Sequence, residues 1–347
     1  MLQFAVKMHK YFLFLYKFFW LRIVAPFFHV PDAIRFKEPR QFFLNVLVCF
    51  FFVLAALLPA GIAQAASEST VDESISTGTV IHNGSSPTTV FTTESIGYAF
   101  YIDSNGTVAY KKTTNGGASW GTSVTVHNVT TSVRVAVWFD QWTPGDTTGT
   151  IIHIVVTDTT NDEIYYGTLD TATDTLVTPV VITTSGATIT SALNNLTITK
   201  GTDGALYAAM ADTGDSIAVR CTTTCTTGAN WSVSEPGNWA VGDDWTIMVP
   251  MLSGNIMFLW WDIATTTPTI QSAVWNGSAW GSWKPAAAAT PNTTYDGSFG
   301  ATSNRSTGDV YLAYATDAAT LGTDDDIKTA TYSGSSWTAN TDVITNS

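Results

Sequence analysis

Four short stretches carry the residue types that could do chemistry. "VGDDW" sets Asp243, Asp244 and Trp245 in a row, and "TYDG" sets Tyr295 beside Asp296. "NDE" brings Asp162 and Glu163, and "TDDD" brings Asp324, Asp325 and Asp326. Carboxylates grouped in this way offer the several oxygen ligands that Ca²⁺ takes, and the Asp324, Asp325, Asp326 run is the candidate calcium site. Paired carboxylates beside Trp and Tyr platforms could instead bind a neutral glycan, or hydrolyse one with a carboxylate pair. Solvated loop residues are the plain alternative for all of them, because loops carry function and noise alike. No cofactor is required, and calcium is possible. A zinc site is not expected: His82, His127 and His153 are scattered, and no histidine lies near Cys221 or Cys225.

The elements that must position these groups come from a repeat. The lines "IGYAFYIDSNGTVAYKKTTNGGASW", "IIHIVVTDTTNDEIYYGTLDTATDTL", "ALYAAMADTGDSIAVRCTTTCTTGANW", "NIMFLWWDIATTTPTIQSAVWNGSAW" and "DVYLAYATDAATLGTDDDIKTATYSGSSW" share one grammar. Each has an apolar run ending in Asp, a polar loop, a second alternating run, a tight turn and a large apolar residue. The strand-ending aspartates Asp103, Asp158, Asp212, Asp262 and Asp317 recur at a nearly constant interval. The closing residues Trp120, Leu176, Trp231, Trp280 and Trp337 keep step, each following its aspartate at nearly the same distance. Gly117, Gly228, Gly277 and Gly334 stand three positions before the four tryptophans. A further strand-like run precedes each line, and another follows the turn. Four short strands, here A to D, in about 54 residues, repeated without helical periodicity, are the sequence signature of a propeller blade. The expected fold is therefore all-β: a β-propeller of four-stranded antiparallel blades. The B strands, such as "IMFLWW" and "YLAYA", are expected to be buried on both faces between neighbouring blades.

Five complete blades are readable, at about 85–128, 129–185, 186–238, 239–288 and 289–347, after a lead-in at 67–84 that contains one blade outer strand. The last D strand is expected in "TDVITNS". A spare D strand at the start suggests a sixth blade whose A to C strands lie in a truncated part of the frame; a closed five-bladed ring is the alternative. The repeated aspartates are read first as caps of their own turns. Each turn tryptophan should cover apolar area between blades and leave its indole N–H to find a carbonyl. Cys221 and Cys225, flanking three threonines, could close a small disulfide loop in an oxidising compartment.

Residues 1–66 are of another kind. They hold seven of the fifteen basic side chains and two acids, Asp32 and Glu38, leaving 8 basic against 26 acidic groups, net −18, in the rest. Such an acidic domain repels phosphate, which excludes nucleic acid as a natural partner. Arg35, Lys37 and Arg40, then an apolar run, then small residues at Ala63 to Ala65, have the order of a secretory signal cleaved near Ala65. An uncleaved membrane anchor is the other reading, and the only route to a membrane. The run before it, interrupted by Lys17, Arg22 and Pro26, makes a poor span, and a start near Val30 would leave a leader of ordinary length. The expected location is secreted, cell-surface or otherwise extracytoplasmic.

"TTNGGASW" resembles the Asp box, S/T-x-D-x-G-x-T-W, of the sialidase-like (BNR-repeat) β-propellers, with Asn115 in the aspartate's place, Gly117 at the glycine and Trp120 at the aromatic. "TTGANW", "WNGSAW" and "SGSSW" resemble decayed copies. The resemblance implies sugar binding on the B–C and D–A face, opposite the boxes, with three arginines, a Tyr–Glu pair and an Asp. Only Arg134, Arg220 and Arg305 follow the leader. Arg134 begins an A strand and could reach that face, whereas Arg220 and Arg305 belong on the opposite one. The triad is therefore not assembled. The expectation is a non-catalytic glycan-binding or surface interaction module, with Arg134, Asp243, Asp244, Trp245, Tyr295 and Asp296 as ligand candidates. A glycoside hydrolase and a purely structural repeat domain are the alternatives, and the partner would be a glycan or an extracellular protein.

Overall fold

A computed structural model describes residues 69–73, 87–183, 195–211, 216–237, 239, 244–262, 269–286, 299–315 and 327–340. The leader at 1–66, most of the lead-in, and the candidates Asp243, Tyr295, Asp296, Asp324, Asp325 and Asp326 lie outside those residues. Twenty strands form five four-stranded antiparallel sheets, each ordered as the chain runs. The first holds β1 (Thr89–Phe91), β2 (Gly97–Ile102), β3 (Val108–Thr113) and β4 (Val124–His127). The second holds β5 (Ser132–Phe139), β6 (Ile151–Asp158), β7 (Glu163–Asp170) and β8 (Thr175–Val181). The third holds β9 (Asn195–Lys200), β10 (Leu206–Ala211), β11 (Ser216–Cys221) and β12 (Trp231–Val233). The fourth holds β13 (Asp244–Pro250), β14 (Ile256–Asp262), β15 (Thr269–Trp275) and β16 (Lys284–Pro285). The fifth holds β17 (Phe299–Ser303), β18 (Val310–Ala315), β19 (Ile327–Ser333) and β20 (Ser336–Ala339). No α-helix occurs among the described residues.

Apolar layers join these sheets in sequence. Tyr98, Phe100 and Ile102 pack against Val135, Val137 and Ile154 between the first and second sheets. Tyr166 and Ile164 meet Leu196, Met210 and Trp231 between the second and third. Tyr207 and Ala209 meet Phe258 and Trp260 between the third and fourth, and Trp261 and Leu259 meet Phe299 and Tyr314 between the fourth and fifth. Short meandering sheets packed face to face in chain order make a β-propeller. Strands β2, β6, β10 and β14 are buried almost throughout, as sheets covered on both faces require. The expectation fails at β18, where Val310, Leu312 and Tyr314 are buried but Tyr311 is 41% exposed. The buried residues of β18 share one cluster with the fourth sheet and with Phe299, Ala330 and Tyr332 of their own sheet. The D strand of the fifth sheet is also earlier than expected: β20 begins directly after the turn at Gly334, and the last residues, 341–347, are outside the described part.

The turns explain the repeated markers. Asn115 Oδ1 accepts the Ser119 N–H at 2.9 Å and the Thr113 hydroxyl at 2.9 Å, the work an aspartate would do there. Gly117, Gly277 and Gly334 have φ of 89°, 95° and 67°, which favours glycine, whereas Gly228 opens a 3₁₀ turn instead. Replacing Asn115 with Ala should cost about 1 kcal/mol in chemical unfolding, and Asn115→Asp should be near neutral, since only the amide-to-serine bond at 2.8 Å is lost. Trp231, Trp280 and Trp337 do sit between sheets, but only Trp231 gives its N–H to a carbonyl, that of Cys225 at 2.8 Å. Trp280 and Trp337 donate to serine hydroxyls of the preceding sheet's chain, Ser234 at 3.1 Å and Ser272 at 2.8 Å, and Trp120 donates to Ser69 at 3.3 Å. Cys221 and Cys225 are joined by a disulfide within the same turn. At the strand ends, Asp103 accepts the Asn105 and Thr107 N–H groups and Asp158 accepts that of Thr160, so both cap their own turns.

Candidate functional site

The innermost strands converge on a cavity of about 320 Å³. Trp138 of β5, Thr197 and Ile198 of β9, Ile247 to Pro250 of β13, Ala301 to Ser303 of β17 and Pro87 line it, together with Trp142 and Arg305 from A–B connections. It lies toward the carboxyl ends of these strands, on the A–B side. That volume is at the small end of ligand sites, roughly 300–1,000 Å³. The walls are aromatic and aliphatic, the polar groups are hydroxyls of Thr197, Thr302 and Ser303, and Arg305 is the one ionisable group among the described lining residues. Thr197 is 2% exposed.

The wall bearing Trp142 is a long loop, and its placement follows from one carboxylate. Asp140 starts a 3₁₀ turn through Trp142, and its Oδ2 accepts the Ile151 N–H at 3.0 Å, closing the loop at its base. Its Oδ1 meets His153 Nε2 at 3.0 Å and the ammonium of Lys200 from β9. Lys200 also reaches Asp146 Oδ2 at 3.2 Å, and Asp146 Oδ1 accepts the Gly149 N–H at 2.7 Å. Gly149 has no alternative here, because a Cβ would lie 2.3 Å from that of Asp140. Thr143 donates to the Lys200 carbonyl at 3.1 Å and accepts the Trp138 indole N–H at 3.0 Å. Trp138 and Trp142 then meet edge to face, with ring centres 5.6 Å apart. Arg305 Nη2 donates to the Gln141 carbonyl, linking the fifth sheet's loop to the second's.

Behind this wall the polar chain continues away from the channel, across the second sheet. His153 Nδ1 lies 2.8 Å from the Tyr166 hydroxyl, and the Tyr166 ring is 5.1 Å from that of Trp231. Burial opposes ionisation of Asp140, but the bonds from His153, Lys200 and Ile151 prevail and hold its carboxyl well below the usual range. Burial lowers His153 despite Asp140, and burial raises Tyr166. A neutral His153 facing a carboxylate must carry its proton on Nε2, so Nδ1 accepts from Tyr166. Every member has a partner; the chain braces the loop between the second and third sheets.

Of the residues expected to form the site, Arg134, Asp244 and Trp245 fall within the described residues. Arg134 lies in β5 opposite Thr157 and is 8% exposed. Asp244 opens β13 opposite Trp261, and a register shift follows it. Trp245, expected at a loop mouth, occupies that shift with φ of 49° and is 3% exposed, packed in the layer with Phe299 and Tyr314. The kink turns its indole into the core, which removes it as a stacking platform. On the same side, the rings of His127 and Tyr165 lie 4.2 Å apart at a tilt of 44°, and Tyr165 donates to Glu163 at 2.7 Å. Among the described residues no three His, Cys, Asp or Glu side chains are gathered as a metal site. The A–B cavity was missed because "WFDQWTPGD" reads as a strand end. Its signal was the density of aromatic and acidic residues in a chain short of charge.

Fold and site define an all-β propeller with a small aromatic cavity on its channel. No family model and no curated protein matches the chain. Solved structures similar to it include an ulvan lyase, a polysaccharide lyase, at 12% identity and TM-score 0.49, over 79% of this chain and 74% of that one. A Hadza microbial sialidase is 13% identical with TM-score 0.42, over 70% and 54%. An α-L-arabinofuranosidase from Fusarium graminearum is 10% identical with TM-score 0.43, over 75% and 84%. All three scores are below 0.5, and the propeller assignment rests on the sheets themselves.

Proposed function

We propose that this chain is an exported, sialidase-like β-propeller that binds glycan in the channel cavity and does not cleave it. The observation that supports this reading is the cavity lining: two tryptophans, three hydroxyl side chains and, among the described residues, no carboxylate. A sugar ring offers an apolar C–H face and a rim of hydroxyls, which suits an indole wall with hydroxyl partners. Glycoside hydrolysis of the usual kind needs two carboxyl groups flanking the bond, and the described lining residues offer none. Export is supported by the order of basic, apolar and small residues up to Ala65.

The test is a glycan array on the full chain, followed by calorimetric titration of the best ligand. Trp142→Ala should weaken binding by about 2 kcal/mol, roughly 30-fold in Kd, as a buried aromatic anchor does. Unchanged affinity in that variant, or appearance of cleaved sugar, overturns the proposal.

A further inference from the structure

We propose that a groove on the outer rim, between the first and second sheets, is a second binding site, where the Lys112–Asp174 pair beside Trp120 takes adjacent hydroxyls of a neutral sugar ring. The site goes beyond the channel reading above: it shares no described lining residue with the channel cavity and is tested separately from it.

The repeat itself points to the place. Four turns close on a glycine and, three residues later, a tryptophan; the second sheet's turn, between β7 and β8, keeps neither and closes on Leu176. What that turn has instead is Asp174, with φ of 54°, whose carboxylate reaches the neighbouring sheet. Asp174 Oδ1 accepts the Tyr98 hydroxyl at 2.8 Å and the Lys112 ammonium at 2.9 Å, and Oδ2 accepts Lys112 at 2.6 Å. Tyr98 is wholly buried, so the pair is fixed from behind by a side chain locked in the core. Burial opposes ionisation of Asp174, but the bonds from Lys112 and Tyr98 prevail and hold its carboxyl below the usual value. A place where a chain leaves its own local grammar is where a function is to be sought.

The groove in front of the pair has a volume of about 540 Å³, within the range of ligand sites. Lys112 and Asp174 are the only charged groups among its described lining residues, and their side chains stay 29% and 48% exposed. An anion is drawn to one and repelled by the other, and so is a cation, so the groove selects neither charge. The carboxylate keeps lone pairs open, and the ammonium keeps one N–H beyond its two bonds to Asp174. Acceptor and donor therefore stand side by side, which suits adjacent hydroxyls on a ring, since each hydroxyl both donates and accepts. Trp120, half-buried, lines the groove with its N–H spent on Ser69, so what it offers a ligand is apolar ring for the C–H face of a sugar. The hydroxyl residues Thr114, Ser119 and Thr122 complete the wall. Trp231, the matching residue of the third sheet, is 2% exposed and has no such face to offer.

The experiment titrates the full chain with the methyl glycosides of glucose, galactose and mannose, and with deoxy forms of each that lack one hydroxyl of an adjacent pair. Calorimetry gives the stoichiometry, and the indole N–H signal of Trp120, assigned by its loss in Trp120→Phe, reports the rim. Trp142→Ala, which weakens the channel site, is expected to leave one equivalent of neutral sugar bound, with the Trp120 signal shifted. Adding Asp174→Asn or Lys112→Met should weaken that remaining binding about tenfold, and the deoxy forms should lose about as much. Thermal unfolding of each variant checks that the fold is intact. Absence of binding in Trp142→Ala, or binding there that is indifferent to both rim substitutions, overturns the inference; if wild type still binds through Trp142, the channel proposal stands without it. Binding that is untouched by Trp142→Ala and depends on Asp174 upholds the rim site and removes the channel one. Silence toward every sugar overturns both.

Discussion

Replacing Asp140 with alanine is expected to destabilise the domain by about 3–5 kcal/mol, measured as a shift in the denaturant midpoint at neutral pH. The carboxylate is 4% exposed and serves His153, Lys200 and the Ile151 N–H together. Its removal leaves two buried donors unmet and Lys200 with Asp146 alone. Asp140→Asn keeps the shape and one acceptor oxygen and should lose less. The pH dependence follows from the depressed carboxyl. A group ionised more readily in the folded than in the unfolded chain contributes stability above its unfolded pKa, 3.8 here, and that contribution is lost as pH falls below it. The stability gap between wild type and Asp140→Asn should therefore be constant above about pH 5 and shrink toward pH 2. A gap that widens on acidification would contradict the ion pair. Because Trp142 stands on the same loop, the variant should also weaken ligand binding.

Trp231→Ala is expected to cost a similar amount, about 3–5 kcal/mol, by opening a cavity between the second and third sheets. The indole is 2% exposed, packs on Tyr166 and is pinned by the Cys225 carbonyl. Trp231→Phe keeps an aromatic ring and should lose only part of this. Trp120→Ala is the internal comparison: its ring is partly exposed, touches Phe91 edge to face and bonds Ser69, so it should cost less. Equal losses at the two positions would mean that the turn tryptophans act through the turn itself and not through the interface they cover.

The blade was legible because its signals are local. The apolar run "IIHIVVTD", glycine three before tryptophan, and a blade-long period each depend on chain geometry within one repeat, and five sheets in chain order answer to them. Asn115 was readable as the cap of its own turn, where its Oδ1 accepts the Ser119 N–H. The site was not legible in the same way. Trp245 looked like an exposed aromatic next to two acids, and a single backbone kink buried it. Trp142 and Arg305 are three blades apart in sequence and come together only because A–B loops of different blades face one channel.

Sequence alone, then, determined the repeat, the strand order within each sheet and the residues that close each turn, because these are set by period-two burial and by the φ that a tight turn demands. Tertiary structure alone decided which carboxylates are braces, which tryptophans are buried, and which end of the channel holds a cavity. Those outcomes depend on distances between blades, and no spacing along one chain segment encodes them.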